Sequence, residues 1–216
     1  MQKGLIITCP EHDDATSYLT YFSKNIISQA VLNRLKNKQI SDQNLNFNDF
    51  SQIIEKLDYK FLVLNAHGSS EAIFGYKDNI IIQLGKNEAL LKDRIIYARS
   101  CNAGGKLGSE CMKNTRKGCF IGYQLPFIFY MDTKWTAKPS NDNAAKLFLE
   151  PSNLIPISII KGHSGIEAHD HAKRQILKTM NKLMAGKQEQ ETPFYLEALW
   201  NNYIGQVIHG DETARL

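Results

Sequence analysis

The sequence predicts an α/β fold of three layers, with a mostly parallel central sheet flanked by helices. Three observations lead there. The strand candidates are unbroken apolar runs (Gly4–Cys9, Phe61–Ala66, Ile95–Ala98 and Gly118–Tyr123), the pattern of strands buried on both faces. Segments with helical spacing alternate with these runs, which is the signature of parallel crossovers. The chain has 216 residues with 43% hydrophobic and 10% aromatic content, enough for one substantial core.

In chain order, the first strand ends in the polar loop Pro10-Glu11-His12-Asp13-Asp14. Leu19, Phe22, Ile26, Ile27, Ala30 and Val31 then recur at helical spacing, with Asp14 or Thr16 as a cap. Residues 36–49 are polar and read as a surface connection with room for one short strand. Phe50, Ile53, Ile54 and Leu57 mark a second helix. After Phe61–Ala66, two short strands flank Lys77-Asp78-Asn79 as a hairpin. A helical turn over 88–92, the strand at 95–98 and a helix over about 105–114 follow. The aromatic segment from Gln124 to Trp135 is too apolar for an exposed loop, so it is expected to pack or to line a groove. A helix starts near Ala144, and the apolar run Leu154–Ile160 is interrupted by Pro156. A long helix runs from Ser164 through Met184, and a last one over 193–203 has Pro193 in its first turn. Residues 1–204 therefore read as one domain and 205–216 as a C-terminal tail.

Composition narrows the function classes. The net charge of +4 is spread along the chain without a long like-charged run, so a nucleic-acid partner is not expected. There is no apolar stretch long enough for a membrane span and no secretion signal, which gives the expectation of a cytoplasmic protein with reduced thiols. Cys9, Cys101, Cys111 and Cys119 have no paired metal-ligand spacing. His169 and His171 point apart on a helix, so the cluster with His163 and Asp170 does not read as a metal site. No metal or cofactor is expected.

Chemistry concentrates where parallel strands end. Asn65-Ala66-His67-Gly68-Ser69-Ser70 leaves one strand and Arg99-Ser100-Cys101-Asn102-Ala103-Gly104-Gly105 leaves another. If these strands are neighbours, His67 and Cys101 emerge on one edge as a base and a nucleophile. Asn65 shares the sheet face of His67. Arg99 lies two residues before Cys101 and so on its side of the strand. It is a candidate reader of an acidic substrate side chain. Glu11, Asp13 and Asp14 are candidate readers of a basic one, and an ion pair between Arg99 and these acids is the third alternative.

The segments V-L-N-A-H-G at 63–68 and Y-A-R-S-C-N-A-G at 97–104 resemble the histidine and cysteine motifs of the caspase, gingipain, legumain and separase clan. The resemblance is nearest to the caspase-like CHAT family of bacterial peptidases and spans about residues 60–180. G-C-F-I-G-Y at 118–123, Asp132, Asn143 and Gly162-His163-Ser164 fall where that family has similar features. The resemblance implies a caspase-like fold and a cysteine endopeptidase that cleaves protein or peptide substrates through a thioester. Cys101 would be nucleophile, His67 base, and the amides of Gly68 and Cys101 the oxyanion donors. It also implies that the position of Arg99 lines the pocket for the residue before the cut, adds Asp132 to the specificity candidates, and suggests an activating protein partner, in some members within bacterial defence. Tyr123–Tyr130 is a candidate wall for the substrate backbone. Exposed segments at 36–49 and 186–192 are candidates for self-cleavage.

Two other classes compete. One is a non-catalytic caspase-like scaffold or sensor module. The other is a serine hydrolase built on Gly162-His163-Ser164-Gly165, but Asp170 lies on the same helix as that serine and the late His209 has no convincing partner; capping of the next helix is the plainer role for Ser164.

Overall fold

The computed structural model describes residues 1–187 and 189–216. Strand β1 (Gln2–Cys9) is followed by helix α1 (Asp14–Leu32), edge strand β2 (Asn37–Ser41), helix α2 (Phe47–Leu57) and strand β3 (Tyr59–Asn65). A small antiparallel sheet comes next, made of β4 (His67–Gly68), β5 (Ala72–Phe74) and β6 (Ile80–Gln83). The main sheet resumes with β7 (Ile95–Arg99), helix α3 (Lys106–Cys111) and β8 (Cys119–Tyr123). Helices α4 (Asn143–Ile160), α5 (Gly165–Ala185) and α6 (Thr192–Gly205) precede the last strand, β9 (Gln206–Gly210).

The main sheet has the order β2-β1-β3-β7-β8-β9; every pair is parallel except β8 with β9. The unbroken apolar runs have the expected cause. On β3 and β7, Phe61, Val63, Ile95 and Tyr97 face the core under α1 and α4, while Leu62, Leu64, Ile96 and Ala98 face the opposite one. Both faces are covered, so alternation has no polar half. The architecture is a mixed α/β fold with a largely parallel central sheet flanked by helices. No helix among the described residues is long and apolar enough to cross a membrane.

Three segments differ from expectation. Residues 205–216 are not a free tail. Strand β9 pairs with β8, Ala214 is buried, and the amides of Gly165 and Ile166 donate to the carbonyls of Ala214 and Glu212. The helix expected near Ala144 runs on through Pro151 and Pro156 to Ile160. An interior proline removes a helical hydrogen bond, but here Phe148, Leu149, Ile155, Ile157 and Ile159 bury the helix against the sheet and α5, and packing decides. Helix α3 is shorter than the expected 105–114. In the polar 186–192 connection, residue 188 lies outside the described residues.

Candidate active site

Strands β3 and β7 fix the site's frame. They pair in parallel from Phe61↔Ile95 to Asn65↔Arg99, and the Ala66 amide donates onward to the Arg99 carbonyl at 3.4 Å. His67 and Cys101 lie two residues beyond the last pair on each strand, so the two chains leave the sheet side by side. Their contact is close: a Cβ built on Gly68 would lie 2.7 Å from the Cys101 carbonyl oxygen and 3.0 Å from Ser100 Cβ. Only a residue without a side chain fits there. Cys101 then enters a tight turn in which Asn102 adopts a left-handed φ of 60°, a conformation that asparagine tolerates. The turn is held from outside by the Gly104 amide donating to Tyr123 O at 2.9 Å and by His209 Nε2 donating to Gly104 O at 2.7 Å. His209 had no role in the sequence reading, because the strand that carries it was taken as tail.

His67 is oriented by Asp13. Its Nε2 lies 2.6 Å from Asp13 Oδ2, and its side chain is 41% exposed. Asp13 is also the N-cap of α1, accepting the Thr16 amide at 2.7 Å and the Thr16 hydroxyl at 2.8 Å. Desolvation raises the Asp13 carboxyl, but the Thr16 amide, the His67 ring and the Thr16 hydroxyl together outweigh it and hold the pKa at about 2. The ionised carboxylate can only accept, so His67 Nε2 is the donor to it, and in the neutral ring Nδ1 then carries the lone pair. No hydrogen bond joins His67 to the Cys101 thiol among the described residues; Cys101 Sγ instead donates to Phe127 O at 3.9 Å.

Of the four cysteines, Cys101 is half-buried and Cys9, Cys111 and Cys119 are buried. Burial pushes each of those three thiols up to about 12. The aromatic segment packs as expected beside Cys101: Phe127 is buried with its ring centroid 4.7 Å from that of Tyr123, while Ile128 and Tyr130 remain exposed.

Arg99 does not open onto this surface. It is fully buried, and its Nε and Nη2 donate to Asn65 Oδ1 at 3.0 and 2.7 Å. Nη1 donates to Ser152 Oγ and Asn153 Oδ1, and Nη2 also reaches Ser23 Oγ and the Leu19 carbonyl. Neither a substrate pocket nor an ion pair with Glu11, Asp13 or Asp14 describes it; α1 and α4 close over the strand face that was expected to be open. Asn65 shares this network and also donates to the Thr8 carbonyl at 2.8 Å, tying β1, β3 and β7 together. Glu11 and Asp14 are exposed. Asp132 lines a separate cleft with Tyr130, Trp135, Asp142 and Tyr195, which neither His67 nor Cys101 borders.

The competing sites separate in space. Ser164 caps α5 in a capping box with Glu167, its hydroxyl donating to Glu167 Oε2 at 2.9 Å, with no histidine partner. The His163 and His171 rings lie together at 4.9 Å, but His169 is buried and turned toward the Gln206 carbonyl. A different group had no signal beyond its place in a polar loop: His12, whose ring centroid lies 5.9 Å from that of His67.

No protein-family model matches the chain. No curated protein matches it in sequence either.

Proposed function

We propose that the chain is a cysteine endopeptidase of caspase-like build in which Cys101 is the nucleophile and His67 the base. The observation that carries this reading is the parallel register of β3 and β7, which sends His67 and a half-buried cysteine out of the sheet as neighbours. The Asp13 bond adds to it, because it leaves His67 Nδ1 as the nitrogen able to take a proton. A histidine, held by an acid, beside a thiol is the arrangement that nucleophilic catalysis requires. Catalytic hydrogen bonds are often long without substrate and tighten in the complex, so the missing His67 to Cys101 bond is compatible with the role.

In the proposed reaction His67 Nδ1 takes the Cys101 proton as sulfur attacks the scissile carbonyl. The oxyanion is met by the amides of Gly68 and Cys101. His67 returns the proton to the leaving amine, and a thioester remains on Cys101. Water, deprotonated by His67, then hydrolyses it and frees the thiol.

Arg99 has no free donor for a substrate, which removes the basis for an acidic preference. The carboxylates nearest His67 are Asp13, on its Nε2, and Asp78, whose ligand atom lies within 4.8 Å of those of His67 and His12. A basic residue before the cut is therefore the favoured substrate. The test is a peptide library varied at that position, digested by the native protein, Cys101→Ala and His67→Ala. Cleavage after Arg or Lys, lost in both variants, is expected. Undiminished cleavage by Cys101→Ala would refute the mechanism, and labelling of Cys101 by a peptide warhead without turnover would favour the scaffold reading.

A further inference from the structure

The hydrolytic reading leaves His12 unexplained. It sits in the loop between β1 and α1 with a side chain only 8% exposed, and both of its ring nitrogens are buried without a hydrogen-bond partner. Leaving a buried polar group unsatisfied is unfavourable, so a second role for this ring is called for. Its surroundings are anionic and basic at once. His12 Nε2 is 3.5 Å from Asp13 Oδ2 and 3.8 Å from Asp78 Oδ1, distances beyond a good hydrogen bond. Ligand atoms of His12, His67 and Asp78 all lie within 4.8 Å of one another. Two donors on one tetrahedral zinc ion sit about 3.3 Å apart, so a modest closing of these side chains supplies three of the four ligands, with water for the fourth.

We propose that His12, His67 and Asp78 form a binding site for a divalent transition cation of the zinc type, whose occupancy switches His67 off as a base. Two imidazoles and one carboxylate are ligands for zinc and its neighbours rather than for magnesium or calcium, which favour all-oxygen shells. The three donors come from the loop between β1 and α1, from β4 and from the turn joining β5 to β6. Asp78 is held there with a left-handed φ of 59°, and its side chain is 72% exposed, which leaves a path from solvent. Asp13 contributes a further negative charge beside both imidazoles.

The second half of the proposal rests on the peptidase reading. His67 Nε2 now carries a hydrogen bonded to Asp13. A metal on Nδ1 occupies the lone pair that would accept the Cys101 proton, and a metal on Nε2 sends the ring hydrogen to Nδ1. With either nitrogen bound, Nδ1 has no lone pair left for the Cys101 proton.

Chelator-treated full-length protein should be titrated with Zn²⁺ by calorimetry and with Co²⁺ by absorption, alongside His12→Ala and Asp78→Ala checked for folding by circular dichroism. One ion per chain is expected, with binding weakened at least about tenfold in each variant. Zinc should also shift the ring ¹⁵N resonances of His12 and His67 in the native protein, and not those of His163 and His171, a readout that needs no variant to fold. Unaltered affinity in both variants, or shifts at His163 and His171 instead, would overturn the site. Binding is read without substrate, so a chain that takes zinc at these residues and cleaves no peptide keeps the site and loses the peptidase. Peptide cleavage that persists under saturating Zn²⁺ would overturn the switch.

Discussion

Asp13 and His67, 54 residues apart in sequence, meet through a 2.6 Å contact between Oδ2 and Nε2, and the same carboxylate caps α1. One side chain thus joins helix stability to the orientation of the proposed base. The two roles separate by substitution. Asp13→Ala removes both and should lower stability by about 1 kcal/mol through the lost cap. Asp13→Asn can still cap but offers His67 no charged acceptor, so it should retain most of the thermal stability while kcat/KM falls steeply, by up to about 10⁴-fold. Melting temperature and peptide cleavage measured on both variants check the separation.

The Asp13 carboxyl titrates at about 2 in the fold against 3.8 ordinarily. The folded state therefore binds fewer protons at this group than the unfolded chain. Its stabilisation is complete above pH 3.8 and is lost as pH falls toward 2. The side chain is partly exposed, so solvent screens the effect and keeps it small. Urea unfolding of native protein and Asp13→Asn from pH 2 to 6 should show a stability gap that narrows below pH 4.

Arg99→Lys should destabilise the protein by about 3 kcal/mol or more, and should leave the preference before the cut unchanged. Lysine cannot reproduce the planar set of donors that reaches Asn65, Ser152, Asn153 and Ser23. Loss of one member of a buried charged network leaves its remaining groups unpaired. Urea unfolding gives the first quantity and peptide profiling of the folded variant the second. A changed preference in a stable variant would return Arg99 to the pocket.

The legible parts of the molecule are those where burial on both faces writes itself into composition. The runs at 61–66 and 95–98 announced buried strands, and their pairing supplies the adjacency that the sequence reading had to assume. Arg99 shows the limit. Period-two alternation tells which side of β7 it occupies, but not that α1 and α4 cover that side, because this depends on contacts with Leu19, Ser23, Ser152 and Asn153, all 53 or more residues away. The Asp13 contact with His67 is hidden for the same reason, although Asp13 itself stood out as a charged residue after β1. His12 gave no local signal: its burial comes from its position against the His67 and Tyr76 rings. Strand β9 was masked by its own polarity, Gln206 and His209 reading as tail although the strand pairs along all of β8.

Gly68→Ala should be harmful although glycine is not required there for an unusual backbone angle. The added methyl would stand 2.7 Å from the Cys101 carbonyl, against backbone rather than a flexible side-chain end. Separating the two loops should cost about 1–3 kcal/mol as overpacking does, and cleavage should fall further than stability because the spacing of His67 and Cys101 changes with it. Ser69→Ala, one position on, serves as the control: the hydroxyl only accepts from the local amides of Glu71 and Ala72. Equal activity in Gly68→Ala and Ser69→Ala would show that the approach of the loops is not needed.

Thiol reactivity gives the most direct reading of which cysteine is available. The thiolate is the reacting form, and burial raises Cys9, Cys111 and Cys119 to about 12, leaving a negligible thiolate fraction near pH 7.5 as well as no access. Cys101 is half-buried at the mouth of the turn. Brief iodoacetamide treatment of the native protein should therefore add one carbamidomethyl group, mapped to Cys101 by peptide mass spectrometry and absent in Cys101→Ala. Denaturation before labelling should raise the count to four, matching the cysteines in the sequence. If His67 withdraws the thiol proton, His67→Ala should slow the native reaction near neutral pH, and raising the pH should recover the rate. A rate identical in His67→Ala at every pH would mean that the two residues, though neighbours on the sheet edge, do not act on one another.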